Sequence, residues 1–370
     1  MRSLSKFHVL SALAACSILY SAWVLTSRRY QLIAPVGSGR NFQVASDFDK
    51  RLVVFGDSWS DDKVKGARVR VWTDWLCSMF DCHQENLAQT AESSQQKYGG
   101  SVVDNTELED LSSGLGWYKA PLADLGSQMQ QWLEAEQTVM QGMPAEAVQT
   151  RQNNTIISVG FGVWDLWNLI GKEYDDAKAS VAHSITTIFE RLNDLSERWG
   201  TKDMRVILTM APDVTFFPAF RPTPEKQKDT VKLVEYWNNI LRHTAEEWDR
   251  GTIYLFDTNE FMLDQLRDWQ LFAAGMEDAH GLGKNEDPGW EDVTRPCVQN
   301  NSTLLFWTET ACEHPEKYLF WDDMHLGPSA HRMMGEEIFH GIEMLWLNQT
   351  LWLNQTESTS AGSGSRDAAA

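Results

Sequence analysis

Three residues from two distant parts of the chain have the types and spacing needed to make a nucleophile. Ser58 ends the stretch Gly56-Asp57-Ser58 after an apolar run, and Asp322 and His325 lie close together near the other end. A serine hydroxyl attacks an ester only when a base accepts its proton, and an imidazole does this near neutral pH. A nearby carboxylate orients that imidazole and stabilises its charged form. These residues therefore predict hydrolase chemistry.

Each of these motifs also has an ordinary structural explanation. Gly, Asp and Ser are common turn residues after a strand, so Gly56-Asp57-Ser58 alone is a weak signal. The Asp322 and His325 pair alone is typical of a loop salt bridge or a helix cap. Their presence together, at opposite ends of one long segment, favours the catalytic interpretation.

Two motifs resemble those of a known family, the SGNH or GDSL hydrolases. The matching segments are Phe55-Gly56-Asp57-Ser58 and Trp321-Asp322-Asp323-Met324-His325, and the resemblance extends from about Arg51 to Trp346. Within the family, the chain is most similar to the secreted fungal branch that includes carbohydrate acetylesterases. The resemblance implies a three-layer α/β/α fold with a central parallel sheet. It also implies that Ser58 is the nucleophile, His325 the base and Asp322 its orienting acid.

A second family motif is looser in this chain. Asn86-Leu87-Ala88 resembles the family's Asn-x-Ala segment, and the glycine that lines the oxyanion hole falls at Ala91. A backbone N–H donates whatever its side chain, so the resemblance implies that Ala91 and Ser58 supply two backbone donors.

A third family motif departs from the pattern. The usual Gly-x-Asn-Asp appears here as Gly162-Val163-Trp164-Asp165, so the asparagine amide of the oxyanion hole is missing. The indole N–H of Trp164 can replace that donor, or Asn168 can reach in. Alternatively, Trp164 and Trp167 only line the pocket. The sequence favours the donor role slightly, because hydrolysis would otherwise rely on two backbone N–H groups.

Hydrophobic periodicity independently predicts an α/β fold. The predicted strands are Arg51–Phe55, Thr155–Val159, Arg205–Met210 and Thr252–Phe256. Helical stripes of apolar residues separate them, at Val181, Ile185, Ile188, Leu192, Leu195 and Trp199, and at Val231, Val234, Trp237, Ile240, Leu241 and Trp248. Alternating strands and helices imply a parallel sheet covered on both faces. His183 and His243 are interpreted as surface or packing residues of these helices.

The segment from Asp257 to Asp322 shows a less regular pattern of apolar residues than the rest of the chain. It is predicted to be a disulfide-tied loop that shapes the substrate cleft, with solvent-exposed decoration as the alternative. Ser329 is predicted to cap a final helix, whose core face carries Met333, Met334, Ile338, Ile342 and Leu345. A duplicated hexapeptide over 345–356 leads into a small-residue tail, predicted to be disordered over 348–370.

Composition excludes some partners and favours others. Thirty-two basic and 52 acidic residues give a net charge of −20, which repels phosphate backbones, so no nucleic-acid partner is expected. Seventeen tryptophans and eight tyrosines supply flat apolar surfaces that can pack on sugar rings or fill the core. The expected partner is an acylated small molecule or carbohydrate.

The first 30 residues predict entry into the secretory pathway. An apolar run over 7–26 is flanked by Arg2 and Lys6 before it and Arg28-Arg29 after it. Its length favours a signal anchor over a cleaved signal peptide, with the catalytic domain lumenal or outside. The predicted organisation is a signal segment over 1–30, a linker over 31–50, the hydrolase domain over 51–347 and the tail.

Cysteines and glycosylation sequons agree with an oxidising compartment. Four cysteines outside the apolar run allow three pairings, and short loops favour Cys77 with Cys82 and Cys297 with Cys312. A metal site is disfavoured because the spacings do not match zinc motifs. Sequons for N-glycosylation occur at Asn153, Asn300, Asn301, Asn348 and Asn354.

The function predicted from the sequence is a serine esterase that hydrolyses O-acyl, most plausibly O-acetyl, esters on carbohydrate through an acyl-enzyme. No cofactor and no metal is expected. One alternative is a sugar O-acetyltransferase that uses the same serine. Another is a non-catalytic carbohydrate-binding relative that has lost turnover through Trp164.

Overall fold

The computed structural model describes residues 42–62, 70–90, 99–107, 122–221, 223–302 and 307–347. Its centre is a five-stranded parallel sheet in the order β2-β1-β3-β4-β5. The strands are β1 (Arg51–Gly56), β2 (His83–Asn86), β3 (Thr155–Gly160), β4 (Met204–Thr209) and β5 (Gly251–Phe256). The first, third, fourth and fifth match the predicted strands to within one residue at either end.

Eight α-helices of the described residues surround this sheet. They are α1 (Trp72–Phe80), α2 (Leu125–Met140), α3 (Ala145–Asn153), α4 (Val163–Leu169), α5 (Tyr174–Trp199), α6 (Pro224–Glu247), α7 (Thr258–Ala274) and α8 (Pro328–Ile342). Helix α1 packs against α8, α2 against α5, and α5 against α6. The predicted three-layer α/β/α fold with a central parallel sheet is confirmed.

The strand order fixes where a ligand crevice forms. After β1 the chain moves to one side to form β2, and β3 then pairs on the other side of β1. In sheets of this order the crevice lies beyond the carboxyl ends of the strands where the winding direction reverses, here between β1 and β3. Ser58 follows β1, and Trp164 follows β3 in the first turn of α4. The fold therefore brings these two predicted site residues to the same point.

The long stripe of α5 is buried as the periodicity predicts. Val181, Ile185 and Leu192 are among its residues in the core, while His183 lies on the exposed face. His243 is exposed on α6 as well. The apolar periodicity therefore identified the buried faces of both long helices.

The expectation of an irregular segment over 257–322 was wrong in part, although residues 275–291 do lack helix and strand and the predicted Cys297–Cys312 disulfide is present. The segment begins with the 17-residue helix α7, which Asp257 caps by accepting a hydrogen bond from the Glu260 N–H, and Gly275 ends it in a left-handed conformation. It continues with four short strands, β6 (Asp292–Pro296), β7 (Val298–Ser302), β8 (Trp307–Ala311) and β9 (Tyr318–Phe320). Strand β6 pairs with β9, and β7 pairs with β8.

The predicted cap of the last helix was also wrong. Gly327 is the N-cap of α8 and Pro328 its first helical residue, so Ser329 lies inside the first turn. Proline suits that position because its fixed φ is helical and the N–H it lacks would have no partner there. The core side of α8 carries Met334, Ile338 and Ile342 as expected.

A buried ion-pair network lies at the amino end of β1, at the opposite end of that strand from Ser58. Arg51 and Arg151 both donate to Glu136, with N–O distances of 2.7 to 2.8 Å, and Arg51 also faces Glu85. Arg151 further donates to the Ala45 carbonyl at 2.6 Å. The network therefore fastens part of the 42–50 segment, assigned to a linker by sequence, onto the folded domain.

Both predicted cysteine pairs are joined in the structure, as Cys77–Cys82 and Cys297–Cys312. Two disulfides fit a protein of the secretory pathway. Within the described residues, none of the helices has the length and apolarity needed to cross a bilayer. The apolar run over 7–26 and the tail over 348–370 lie outside those residues.

Candidate active site

Ser58 lies two residues beyond β1, where the backbone leaves the sheet. Gln128 of α2 holds this strand end, because its side-chain amide accepts from the Gly56 N–H and donates to the Gly56 carbonyl, both at 2.9 Å. Gln128 itself is completely buried. The peptide groups of Gly56 thus stay paired at the point where the chain turns toward Ser58.

The structure brings Ser58, His325 and Asp322 into one hydrogen-bonded relay. His325 Nε2 lies 2.8 Å from Ser58 Oγ, and His325 Nδ1 lies 2.9 Å from both carboxylate oxygens of Asp322. The Asp322 carboxylate also accepts from the backbone N–H groups of Met324 and His325, each at 2.8 Å. With the Nδ1 proton held by Asp322, Nε2 is free to accept the Ser58 proton.

Two contacts fix the loop that carries His325 against the rest of the site. The indole of Trp59 donates to the Met324 carbonyl at 2.9 Å, and the N–H of Ala219 donates to the Asp323 carbonyl at 3.0 Å. Trp59 also stacks on Phe217, with ring centroids 5.5 Å apart. The segments that carry Ser58 and His325 are therefore joined directly, although they are far apart in sequence.

The electrostatics of the relay suit proton transfer. Burial opposes a charge on His325, but the negative charge and hydrogen bond of Asp322 outweigh it, so the pKa of His325 is raised. Burial likewise opposes the Asp322 charge, yet the His325 interaction and the backbone donors hold the pKa of Asp322 below its usual range. Asp322 therefore stays ionised, and its charge favours a protonated imidazole at His325.

Two further aspartates are buried beside the relay. Burial raises the pKa of Asp57 from 3.8 to about 7, and the neighbouring charge of Asp165 adds to this effect. Burial also raises the pKa of Asp165 to about 6, although it accepts hydrogen bonds from the Val103 and Gly162 N–H groups. Both acids thus change charge much closer to neutral pH than an exposed aspartate does.

Trp164 points its indole N–H at the hydroxyl of Ser58. Its Nε1 donates to Ser58 Oγ at 2.9 Å, and the side chain is only 2% exposed. Asn168, the other candidate donor, is exposed on α4, and Trp167 is half-buried one turn further along the helix. Of the two candidate donors, Trp164 is the one whose side chain contacts Ser58.

The position of the predicted backbone donor Ala91 lies outside the described residues, which resume at 99. Gly100, just after that gap, lies beside the site, since a Cβ atom at Gly100 would lie 2.1 Å from Nε1 of Trp164. Sequence reasoning missed Gly100 and Gln128. The adjacent pair Gly99-Gly100 after a polar stretch was the available signal for the glycine.

The predicted glycosylation sites that the structure describes lie on other elements. Asn153 is exposed at the end of α3, and Asn300 and Asn301 lie in β7, while Asn348 and Asn354 lie outside the described residues. In the part of the chain that the structure describes, no group of three or more His, Cys, Asp or Glu side chains is placed to hold a metal ion.

The fold and this arrangement agree with the three-layer SGNH-like class of α/β proteins. No protein-family model matches the chain. The chain is similar to the thermolabile hemolysin of Vibrio parahaemolyticus serotype O3:K6, with 24% identity over 271 residues, or 72% of this chain. It spans 53% of the length of that hemolysin. These findings support the SGNH family at most, and they do not support its fungal carbohydrate-esterase branch.

Proposed function

We propose that the protein is a serine esterase that hydrolyses O-acyl esters through an acyl-enzyme intermediate. The observation that carries this proposal is the relay from Ser58 Oγ through His325 to Asp322, with N–O distances of 2.8 and 2.9 Å. A hydroxyl 2.8 Å from a neutral imidazole nitrogen is within reach for proton transfer as it attacks. The depressed pKa of Asp322 keeps the charge that the imidazolium needs.

The reaction divides into two acyl transfers. Ser58 Oγ bonds to the ester carbonyl carbon while His325 Nε2 takes the hydroxyl proton. The bond from that carbon to the alcohol oxygen then breaks, and His325 returns the proton to the leaving alcohol. In the second half, water loses a proton to His325 and attacks the acyl carbon, after which Ser58 recovers its proton and the carboxylic acid leaves.

Trp164 is the proposed side-chain donor for the oxyanion. The developing negative charge sits on the carbonyl oxygen, which is two bonds from Ser58 Oγ in the tetrahedral intermediate. Because the indole Nε1 lies 2.9 Å from Oγ in the resting site, its N–H is close to where that oxygen forms. The Ser58 backbone N–H is the second proposed donor.

The narrow surroundings of Ser58 favour a small acyl group such as acetyl. Ser58 is 3% exposed, and the rings of Trp164 and His325 flank it with centroids 6.5 Å apart. One turn along α4, half-buried Trp167 lies against Phe220 with ring centroids 6.4 Å apart. Such an aromatic pair suits the apolar face of a sugar, which supports a carbohydrate as the alcohol part of the ester.

The test compares esters of one alcohol that differ in acyl length, together with acetylated sugars, on the wild type and on Ser58→Ala. We expect acetyl esters to turn over fastest and Ser58→Ala to lose turnover on all of them. Ser180→Ala on α5, a half-buried serine of an outer helix, serves as the matched control and should keep wild-type rates. Near wild-type turnover by Ser58→Ala would refute the proposal. Faster cleavage of long-chain lipid esters would refute the acetyl assignment alone.

Acyl transfer to a sugar is the alternative activity of the same acyl-enzyme, and it would use a sugar hydroxyl in place of water. Measuring how the acetyl product divides between water and added sugar acceptors separates the two activities. We expect most of the acetyl group to appear as acetate. Transfer to sugar that dominates at millimolar acceptor would assign the transferase instead.

A further inference from the structure

Gly100 lies where the indole of Trp164 needs space. A Cβ atom at Gly100 would lie 2.1 Å from Nε1 and 2.3 Å from Cδ1 of that indole, far inside any contact distance. Nε1 is the same atom that donates to Ser58 Oγ. Every residue other than glycine would therefore collide with the edge of the ring that faces the nucleophile.

The backbone at Gly100 is held in place on both sides. On one side it forms an antiparallel bridge with the chain after β2, and the Ser101 N–H donates to the Gln89 carbonyl at 3.2 Å. On the other side the Val103 N–H donates to the Asp165 carboxylate at 2.9 Å. Ser101 and Val103 are each 1% exposed. Gly100 therefore has little freedom to move away from the indole.

The helix that carries Trp164 is fixed by the same carboxylate. Asp165 also accepts from the Gly162 N–H at 3.1 Å, which closes the start of α4. Gly162 itself has φ +121°, and a Cβ there would lie 2.9 Å from that of Ala211. One carboxylate thus ties the start of α4 to the segment that carries Gly100, and the indole lies between them.

We propose that Gly100 is a positioning residue for the esterase reaction, which seats the Trp164 indole N–H against Ser58 by having no side chain. This inference rests on the proposed function and on the donor role of Trp164. Glycine is required here for space and not for an unusual backbone angle, because its φ lies outside the left-handed region. A larger residue at position 100 would turn the indole away and remove the oxyanion donor.

The test is a double-mutant cycle of Gly100→Ala and Trp164→Leu on an acetyl ester. Leucine is apolar, but it has no N–H, is smaller than tryptophan and has a shorter reach. Loss of one oxyanion donor typically lowers kcat by about 100- to 1000-fold. We expect each single variant to show a loss of that size with KM changed only a few-fold. The double variant should be no slower than Trp164→Leu alone, since both changes remove the same donor.

Gly126→Ala is the matched control, because the three atoms nearest to a methyl group there all belong to the flexible side chain of Arg191, the closest at 3.0 Å. It should leave kcat unchanged. If Gly100→Ala alone does not fold, the proposal requires the double variant to fold and to match Trp164→Leu in kcat. A Gly100→Ala enzyme with kcat within three-fold of wild type would overturn the proposal. Losses that multiply in the double variant, or a double variant that also fails to fold, would overturn it as well.

The cycle separates this inference from the proposed function. If Ser58→Ala retains turnover, the esterase mechanism is wrong whatever Gly100 does. If Ser58→Ala is inactive but the Gly100 and Trp164 losses multiply, the mechanism stands and the positioning role fails.

Discussion

The buried carboxyl of Asp57 predicts an unusual pH dependence of stability. Its pKa is 3.8 when exposed and about 7 in the folded protein, chiefly because of burial. Below about pH 4 the group is protonated in both the folded and unfolded states. Between pH 4 and 7 the unfolded chain loses this proton while the folded protein keeps it, so the free energy of unfolding falls as pH rises. Above pH 7 the group is ionised in both states, and the loss is complete.

The size of this effect follows from the two pKa values. Each pKa unit corresponds to about 1.4 kcal/mol, so the ionised Asp57 lowers the free energy of unfolding by about 4 kcal/mol above pH 7. Asp57→Asn keeps the shape of the side chain and its acceptor for the Trp59 N–H, but it cannot ionise. From pH 5 to pH 8 the stability of the variant relative to wild type should therefore rise by about 3 kcal/mol.

Urea unfolding at several pH values between 5 and 8 measures this difference directly. Asp249→Asn is the control, because its side chain is 88% exposed and its substitution should leave the pH dependence unchanged. Curves for Asp57→Asn and wild type that run parallel over this range would refute the reasoning. The variant also lacks a negative charge that raises the pKa of His325, so the acid limb of its kcat/KM profile should move to lower pH.

Three other predictions concern the donor, the relay and a disulfide. Trp164→Phe removes the indole N–H and should lower kcat by about 100- to 1000-fold with little change in KM, measured on an aryl acetate; an unchanged kcat would exclude the donor role. Asp322→Asn should lower kcat by about 10⁴-fold. The acid limb of its residual kcat/KM profile should lie at lower pH than that of the wild type, because the charge that raises the pKa of His325 is gone. An acid limb of kcat/KM at the same pH as in the wild type would contradict this. Replacing Cys297 and Cys312 by serine should lower the free energy of unfolding by about 3 kcal/mol in urea titrations, given their separation of 15 residues; equal stability would contradict it.

Four of the five central strands could be predicted because their sequences are short apolar runs bounded by polar residues. The strand His83–Asn86 could not, since all four of its residues are polar: a histidine, a glutamine, a glutamate and an asparagine. Its buried Glu85 carboxylate accepts hydrogen bonds from Arg51, from the Trp132 indole and from the Ala45 N–H. Those partners are distant in sequence, so no local pattern signals the strand. Helix α7 was missed in a similar way, because only a few of its residues are buried.

The proximity of Ser58, Asp322 and His325 could be predicted, because their residue types and motifs are typical of a hydrolase triad. The supporting residues could not. The proposed role of Gly100 depends on the space that its missing side chain leaves for the Trp164 indole. Gln128 matters because its amide lies within hydrogen-bond distance of Gly56, and the sequence alone does not reveal that distance. Trp164 stayed ambiguous because tryptophan offers both bulk and a donor, and only the 2.9 Å contact with Ser58 separates the two.

The central claim is that Ser58 is activated by His325, and covalent labelling tests it most directly. The protein is treated with a fluorophosphonate, its intact mass is measured, and the modified residue is located by peptide mapping. We predict one adduct per chain on Ser58, none on Ser58→Ala, and labelling of His325→Ala slowed by several orders of magnitude because the base is gone. No adduct on the wild type, or an adduct that persists in Ser58→Ala, would contradict the claim.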